Sequence, residues 1–359
     1  IGDTVTYVIK SEVPDMDGYD QYRFIVTDVM SKGLTFIDGV NIKIGNETLG
    51  ADDYTLQKSG GNGAETTIVI RINDLTVYDK GDDIEIRYSA KVNEHAVIGT
   101  AGNLNTVKLQ YSNNPNYKFE GSNDNGPLGV TPESTTRSYT TAIEITKRDG
   151  DDNGVLTGAE FEITGDSVKK VVVTEGFFEE DAAGTYWKLN DGTYTQVSPA
   201  TENINDEVYE YEMVEGAKVF KTYKLSTKTT VRDIASTNVE CRAYVDADGV
   251  LQIEGLGEGT YTIKEVKAPA GYNLLKKSVV VEVGFVAPES TATECKWTYK
   301  VDGEGKTSAS GILQFDVMNY QGATLPSTGG MGTTLFYAVG SILLVGAAVL
   351  IISKKRMEK

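Results

Sequence analysis

The sequence predicts an all-β chain: β-sandwiches in tandem, closed by one C-terminal transmembrane helix. Three observations carry this. Apolar and polar residues alternate at period two in short runs separated by turn-forming pairs, the pattern of antiparallel sandwiches. No stretch before residue 335 has the longer period of an amphipathic helix. Residues 335–352, from Leu335 to Ile352, carry no charge and number about 18, roughly what an α-helix needs to cross the hydrocarbon core of a bilayer.

In residues 1–120 the alternating sets are Val5, Tyr7 and Ile9; Tyr22, Phe24 and Val26; Ile68, Ile70 and Ile72; and Ile84, Ile86 and Tyr88. Asp17-Gly18, Lys32-Gly33, Ser59-Gly60-Gly61 and Lys80-Gly81 separate them, so this segment reads as one sandwich. Residues 121–139 are rich in Gly, Pro, Ser, Thr and Asn and read as a linker. A second sandwich is expected over residues 140–322, opening with Ile143-Glu144-Ile145-Thr146-Lys147 and closing with Leu313-Gln314-Phe315-Asp316-Val317-Met318-Asn319. A Tyr-rich, acidic insertion occupies about residues 166–244. Residues 323–359 form a tail of three pieces: Leu325, Pro326, Ser327, Thr328 and Gly329; the apolar run 335–352; and a basic end, 353–359, whose Lys and Arg belong on the cytoplasmic side.

Composition narrows the function. The chain has 359 residues and a formal net charge of -18, with acidic residues spread along it, which argues against nucleic-acid binding and fits a surface protein. The single histidine, His95, argues against His-rich metal sites and against a Ser/His/Asp triad, and no cofactor is expected. Two cysteines, Cys241 and Cys295, make no disulfide framework; one bridge and two buried thiols are both open. The chain starts at Ile1 without an initiator Met or signal peptide, although export requires one, so it is expected to begin inside its first domain.

Strand parity singles out three residues of the second sandwich. Lys147 is in phase with Ile143 and Ile145, Glu265 with Tyr261 and Ile263, and Asn319 with Leu313, Phe315 and Val317, so each strand carries one polar side chain on its apolar face. A lone charge in such a place costs several kcal/mol or more, so these groups neutralise or pair. One outcome is a Lys–Glu ion pair with Asn capping a strand end. The other is chemical: a desolvated lysine loses its proton and becomes a nucleophile, and a desolvated glutamate gains one and becomes an acid.

Family resemblance sharpens these readings. Leu325-Pro326-Ser327-Thr328-Gly329 ahead of a single span and a basic stop resembles the sorting signal of Gram-positive cell-wall proteins. That implies a sortase partner, which would join the Thr328 carbonyl to an amine and release Gly329 onward, with peptidoglycan as the final anchor and the membrane only a transient precursor site. Gly2-Asp3-Thr4-Val5-Thr6-Tyr7, the run from Thr27 to Thr35 around Asp28, and the run from Asn105 to Asn113 resemble the isopeptide-forming fimbrial domain of pilins. The resemblance makes Asp28 the acid and Asn105 the amide of a Lys–Asn crosslink. Both are in phase with the apolar residues of their strands; a strand-end cap is the other reading of Asp28. Lys10 is out of phase with its strand, so the partner lysine is expected upstream of Ile1.

The opening and closing strands of the second sandwich, with Gly259-Thr260-Tyr261-Thr262-Ile263-Lys264-Glu265-Val266-Lys267-Ala268-Pro269-Ala270-Gly271-Tyr272, resemble the Cna B-type domain, a transthyretin-like sandwich. There the resemblance implies a crosslink between Lys147 and Asn319, promoted by Glu265. The expected function is thus a non-enzymatic shaft subunit of a pilus, joined to other pilin subunits, with a non-polymerised adhesin or accessory pilin as the alternative. One motif points elsewhere: Asp149-Gly150-Asp151-Asp152-Asn153-Gly154 followed by Glu160 has EF-hand spacing, but strand phase on both sides favours an acidic hairpin turn over a calcium loop.

Overall fold

The computed structural model describes every residue except 62, 122, 166, 203, 235–240, 290–294 and 323–359. The motif from Leu325 to Gly329 and the apolar run 335–352 therefore lie outside the described residues. Among the described residues no helix is long and apolar enough to cross a membrane, and the one helical segment is a 3-10 turn at Asp206–Val208. The remaining regular structure is β, arranged as tandem sandwiches within one compact unit, Ile1–Asn319; a second unit covers Tyr320–Lys359.

The first sandwich is built from β1 (Thr4–Glu12), β2 (Phe24–Met30), β3 (Leu34–Ile44), β4 (Glu47–Thr48), β5 (Tyr54–Gly60), β6 (Thr66–Ile72), β7 (Asp83–Val92), β8 (Asn103–Ser112), β9 (Leu128–Val130) and β10 (Ser134–Ser138). One sheet has the order β1-β7-β3-β4 and the other β10-β8-β2-β6-β5, with β9 also on β8. Alternation dictates the core: Phe24, Val26, Met30, Ile68, Ile70 and Ile72 from one sheet are buried with Ile42, Ile44, Ile84, Ile86 and Tyr88 from the other. Each such side chain contributes about 1.5–3 kcal/mol on leaving water. The β5–β6 hairpin turns at Gly60, φ +82°, where a Cβ would stand 1.9 Å from the Glu65 carbonyl oxygen, so no larger residue fits.

The linker reading of 121–139 needs correction. Strands β9 and β10 both pair antiparallel with β8, over Leu128–Ser112 to Val130–Gln110 and Ser134–Val107 to Ser138–Asn103. These are short edge strands whose side chains are largely exposed, so their polar composition imitates a connector while the backbone completes a ladder.

The second sandwich comprises β11 (Thr141–Asp149), β12 (Glu160–Gly165), β13 (Lys170–Glu180), β14 (Tyr186–Lys188), β15 (Tyr194–Thr195), β16 (Tyr211–Val214), β17 (Ala217–Phe220), β18 (Thr222–Asp233), β19 (Cys241–Tyr244), β20 (Val250–Leu256), β21 (Gly259–Lys267), β22 (Val279–Val286), β23 (Lys296–Val301), β24 (Glu304–Lys306) and β25 (Ile312–Asn319). Strand β11 lies between β20, antiparallel, and β25, parallel. Opposite them run β19-β12-β21-β22-β23-β24, and β13 joins the layers by pairing with β20 and, at one position, β19. The ends of the expected insertion belong to the sandwich itself: Val171 and Val173 on β13 and Cys241 and Ala243 on β19 are core residues. Between them β14, β15 and β18 extend the sheet, and β16 and β17 form a separate hairpin. Cys241 and Cys295 are both buried thiols, which decides between the two readings of these residues.

Candidate isopeptide sites

The parity of β11, β21 and β25 brings Lys147, Glu265 and Asn319 to one point in the second core, each 2% exposed or less. Lys147 faces Val317 in the parallel pair and Asn319 faces Asp149, so the amine and the amide sit two residues apart on the same face. Lys147 Nζ donates to the Val317 carbonyl at 2.8 Å and stands 4.0 Å from Glu265 Oε1. Asn319 Nδ2 donates to both Glu265 oxygens, at 2.9 and 3.0 Å, and the Leu275 amide donates to Oε2 at 2.8 Å. Asn319 Oδ1 is buried without a partner.

Burial governs the ionisation of this cluster. It lowers the Lys147 pKa to about 8 against the opposing pull of Glu265 and Asp149. It raises the Glu265 carboxyl against the opposing hydrogen bonds of Leu275 and Asn319 and the charge of Lys147. Both shifts favour the neutral forms, the states in which an amine is nucleophilic and a carboxyl can donate a proton. The 4.0 Å separation, with both side chains fully buried, is a setting in which desolvation competes strongly with Coulomb attraction.

Beside the cluster, Tyr272 donates to Asp149 Oδ2 at 2.6 Å, and the Asp151 amide to Asp149 Oδ1 at 2.8 Å. These bonds hold the Asp149 carboxyl below its usual range, Tyr272 contributing most. The EF-hand spacing beginning at Asp149 is therefore a turn between β11 and β12, and its first carboxylate is engaged by protein donors. His95, exposed in a turn, touches neither site.

In the first sandwich the structure brings together Asp28 on β2 and Asn105 on β8, 0% and 4% exposed, together with a residue that sequence reasoning missed, Tyr88 on β7. Tyr88 donates to Asp28 Oδ2 at 2.6 Å; Asn105 Nδ2 donates to the same oxygen at 3.0 Å and to the Tyr88 hydroxyl at 2.9 Å. Asp28 Oδ1 and Asn105 Oδ1 are buried without partners. Desolvation pushes the Asp28 pKa up to about 6, against the hydrogen bonds of Tyr88 and Asn105. Lys10 is exposed on β1, and among the described residues no lysine pairs with Asp28. A groove of about 470 Å³ runs past Asn105 and Tyr88, lined by Val5, Tyr7 and Ile9 of β1 and Val107 and Leu109 of β8. The signal for Tyr88 was present in its phase with Ile84 and Ile86, because a buried phenol requires a polar neighbour.

Comparison with known proteins follows the same division of the chain. A model for the Gram-positive pilin backbone subunit 2, Cna-B-like domain, matches residues 1–115. A SpaA-type prealbumin-like fold domain matches residues 209–300, and the LPXTG cell wall anchor motif matches 318–359. The trypsin-resistant surface T6 protein of Streptococcus pyogenes serotype M6 is 26% identical over 99% of this chain, and the fimbrial subunit type 1 of Actinomyces viscosus is 23% identical over 99%. The chain spans 65% and 61% of the length of these two relatives. In fold it is similar to the pilus 2b backbone protein of group B streptococcus, with TM-score 0.51, 21% identity, and coverage of 91% of this chain and 96% of that one. The T6 backbone pilin of serotype M6 Streptococcus pyogenes also has TM-score 0.51, at 17% identity, covering 89% of this chain and 66% of that one.

Proposed function

We propose that this chain, an LPXTG-anchored pilin of the Gram-positive cell surface, is a structural shaft subunit stabilised by internal Lys–Asn isopeptide bonds and polymerised by a sortase. The observation that carries the reading is the convergence of Lys147, Glu265 and Asn319 in one dry cluster with burial favouring the neutral amine and the neutral acid. Neutral Lys147 attacks the Asn319 side-chain carbonyl carbon, and Glu265, lying against the amide nitrogen, carries the protons. A proton passes from the amine to Glu265 while another passes from Glu265 to the amide nitrogen, against which both of its oxygens already lie. Ammonia leaves, the new amide joins β11 to β25, and the acid is restored.

The first sandwich supports the same chemistry, with Asp28 as acid, Asn105 as amide and the primary amine of a lysine side chain as nucleophile. At the tail, the sortase cleaves the Thr328–Gly329 peptide bond, releases Gly329 onward, holds the Thr328 acyl group and transfers it to the amine of a lysine of another subunit or of peptidoglycan. The reaction in each sandwich is a single turnover on the chain itself, so the protein is the sortase's substrate rather than an enzyme.

Intact mass spectrometry of the purified ectodomain tests the reading directly. The second sandwich should be one ammonia lighter than its sequence mass, with a linked peptide pair containing Lys147 and Asn319 after digestion. A mass equal to the sequence mass would refute the crosslink and leave the anchoring signal alone.

A further inference from the structure

The hydroxyl of Tyr88 occupies a position that, among the described residues, has no counterpart around Glu265. It stands 2.9 Å from Asn105 Nδ2, the nitrogen that leaves when an amine displaces ammonia, and 2.6 Å from Asp28 Oδ2. Around Glu265, both carboxyl oxygens face Asn319 Nδ2, so one can release a proton to the nitrogen while the other receives one. Aspartate is one methylene shorter. Asp28 turns only Oδ2 toward Asn105, that oxygen is shared with Tyr88, and Oδ1 has no partner.

From this arrangement we infer that Tyr88 is a further catalytic residue of the first-sandwich crosslink, relaying a proton from Asp28 to the departing nitrogen of Asn105. The inference rests on the crosslink proposed above, with the primary amine of a lysine side chain as co-reactant.

In the resting amide, Nδ2 shares its lone pair with the carbonyl and can only donate, which is the direction observed toward Tyr88. Attack of the amine on Asn105 Cγ makes the nitrogen pyramidal and frees that lone pair, and the bond to Tyr88 reverses. The phenol then gives its proton to Nδ2 and takes one from the Asp28 carboxyl, and Asp28 takes a proton from the attacking amine. The Nζ–Cγ bond forms, the Cγ–Nδ2 bond breaks, neutral ammonia leaves, and acid and phenol finish in their starting states. Tyr88 is held for this task by stacking on Tyr7, with ring centroids 5.4 Å apart and planes at 23°.

The test follows ammonia loss in each sandwich by peptide mass mapping, in a time course after cell-free synthesis from the full reading frame that encodes this chain. Tyr88→Phe should slow the first sandwich by about a hundredfold or more, the usual scale of acid–base assistance, and leave the second unchanged as an internal control. Tyr22→Phe, which removes a hydroxyl from another buried tyrosine of the same core, one that packs edge-on against Tyr19, should match wild type. A Tyr88→Phe rate within twofold of wild type would overturn the relay while sparing the crosslink. Wild-type protein that keeps its first-sandwich ammonia after the second has reacted would overturn both. Independently of any variant, the wild-type first sandwich should show a larger slowing in deuterium oxide than the second, because one more hydroxyl proton moves; equal slowing would also sink the relay.

Discussion

Lys147 and Val317 are register partners on two parallel strands, and the lysine side chain folds back to give its Nζ to the Val317 carbonyl at 2.8 Å. That bond parks the amine beside Asn319, two residues further along β25. Replacing Lys147, Glu265 or Asn319 by Ala should restore the missing ammonia in each case. Loss of the bond should cost on the order of 5 kcal/mol, the scale for releasing a closed loop of more than a hundred residues in the unfolded chain. Urea melts of the variants against wild type read the difference, and equal midpoints would contradict the staple.

The rate of crosslinking in the second sandwich should be sharply pH-dependent. In the proposed crosslink the nucleophile is neutral Lys147, whose pKa is lowered to about 8, so its active fraction grows as pH rises through 8. The acid is protonated Glu265, whose raised pKa still lies on a falling limb as pH increases. The product of the two fractions peaks between these limbs and declines on both sides. Glu265→Gln should abolish the alkaline limb together with most of the rate, measured in the same time course of mass loss.

Stability of the first sandwich should run opposite to the common carboxylate trend. Asp28 has a folded pKa of about 6 against 3.8 for a free aspartate, so the folded state holds its proton more tightly than the unfolded state. Stability is therefore highest below pH 4 and falls as pH rises through 6. With a shift of about two units the change is about 3 kcal/mol. Asp28→Asn should flatten the profile between pH 4 and 7. Denaturant titrations of the chain beginning at Ile1 provide the measurement, and a wild-type profile that climbs over this interval would contradict the assignment.

The thiols should be inert in the native protein. Cys241 is 1% exposed and burial pushes its pKa up to about 11, so almost no thiolate is present at pH 8. Cys295 is 5% exposed. Neither should react with a thiol reagent until the chain unfolds, when both should, and a reducing agent should leave the melting temperature unchanged. A bridge between them would appear as two thiols missing after denaturation.

Gly249 should tolerate no side chain. It takes φ +70°, its carbonyl accepts from the Lys147 amide at 2.7 Å, and a Cβ there would stand 2.6 Å from Val155 Cγ1 and 3.1 Å from the Lys147 carbonyl oxygen. Gly249→Ala should cost about 1–2 kcal/mol for the left-handed backbone alone, with the steric clash in addition. It should also slow crosslinking by displacing β11, which the mass time course would detect as a delayed loss of ammonia.

How much of this was legible from residue order depends on what a strand's phase encodes. Lys147, Glu265, Asn319, Asp28 and Asn105 were legible because each is a polar residue in an inward position, and Lys10 because it is not. Phase says that a side chain points inward but not what its polar tip meets, so Tyr88 passed for an ordinary core aromatic. The Leu275 amide that clamps Glu265 is backbone, and no residue type marks it. Val171, Val172 and Val173 form an unbroken apolar run, which hid β13 inside the expected insertion, because a strand packed on both sides loses its alternation. The edge strand β10 was hidden for the opposite reason: its ladder needs no apolar residue.

The parallel pairing of β11 and β25 has a mechanical consequence. The chain enters this sandwich at the start of β11 and leaves at the end of β25, so a pull on its two ends tries to slide neighbouring strands lengthwise. Every ladder hydrogen bond between Ala142–Ile312 and Asp149–Asn319 then shares the load at once, where an unzipping geometry would load them singly. With Lys147 joined to Asn319, the taut path would be shorter still: it would follow seven residues of β11, Thr141 to Lys147, cross one amide and exit. Residues 148–318 would hang off that path as slack, so stretching the chain by its ends would not require the sandwich to open.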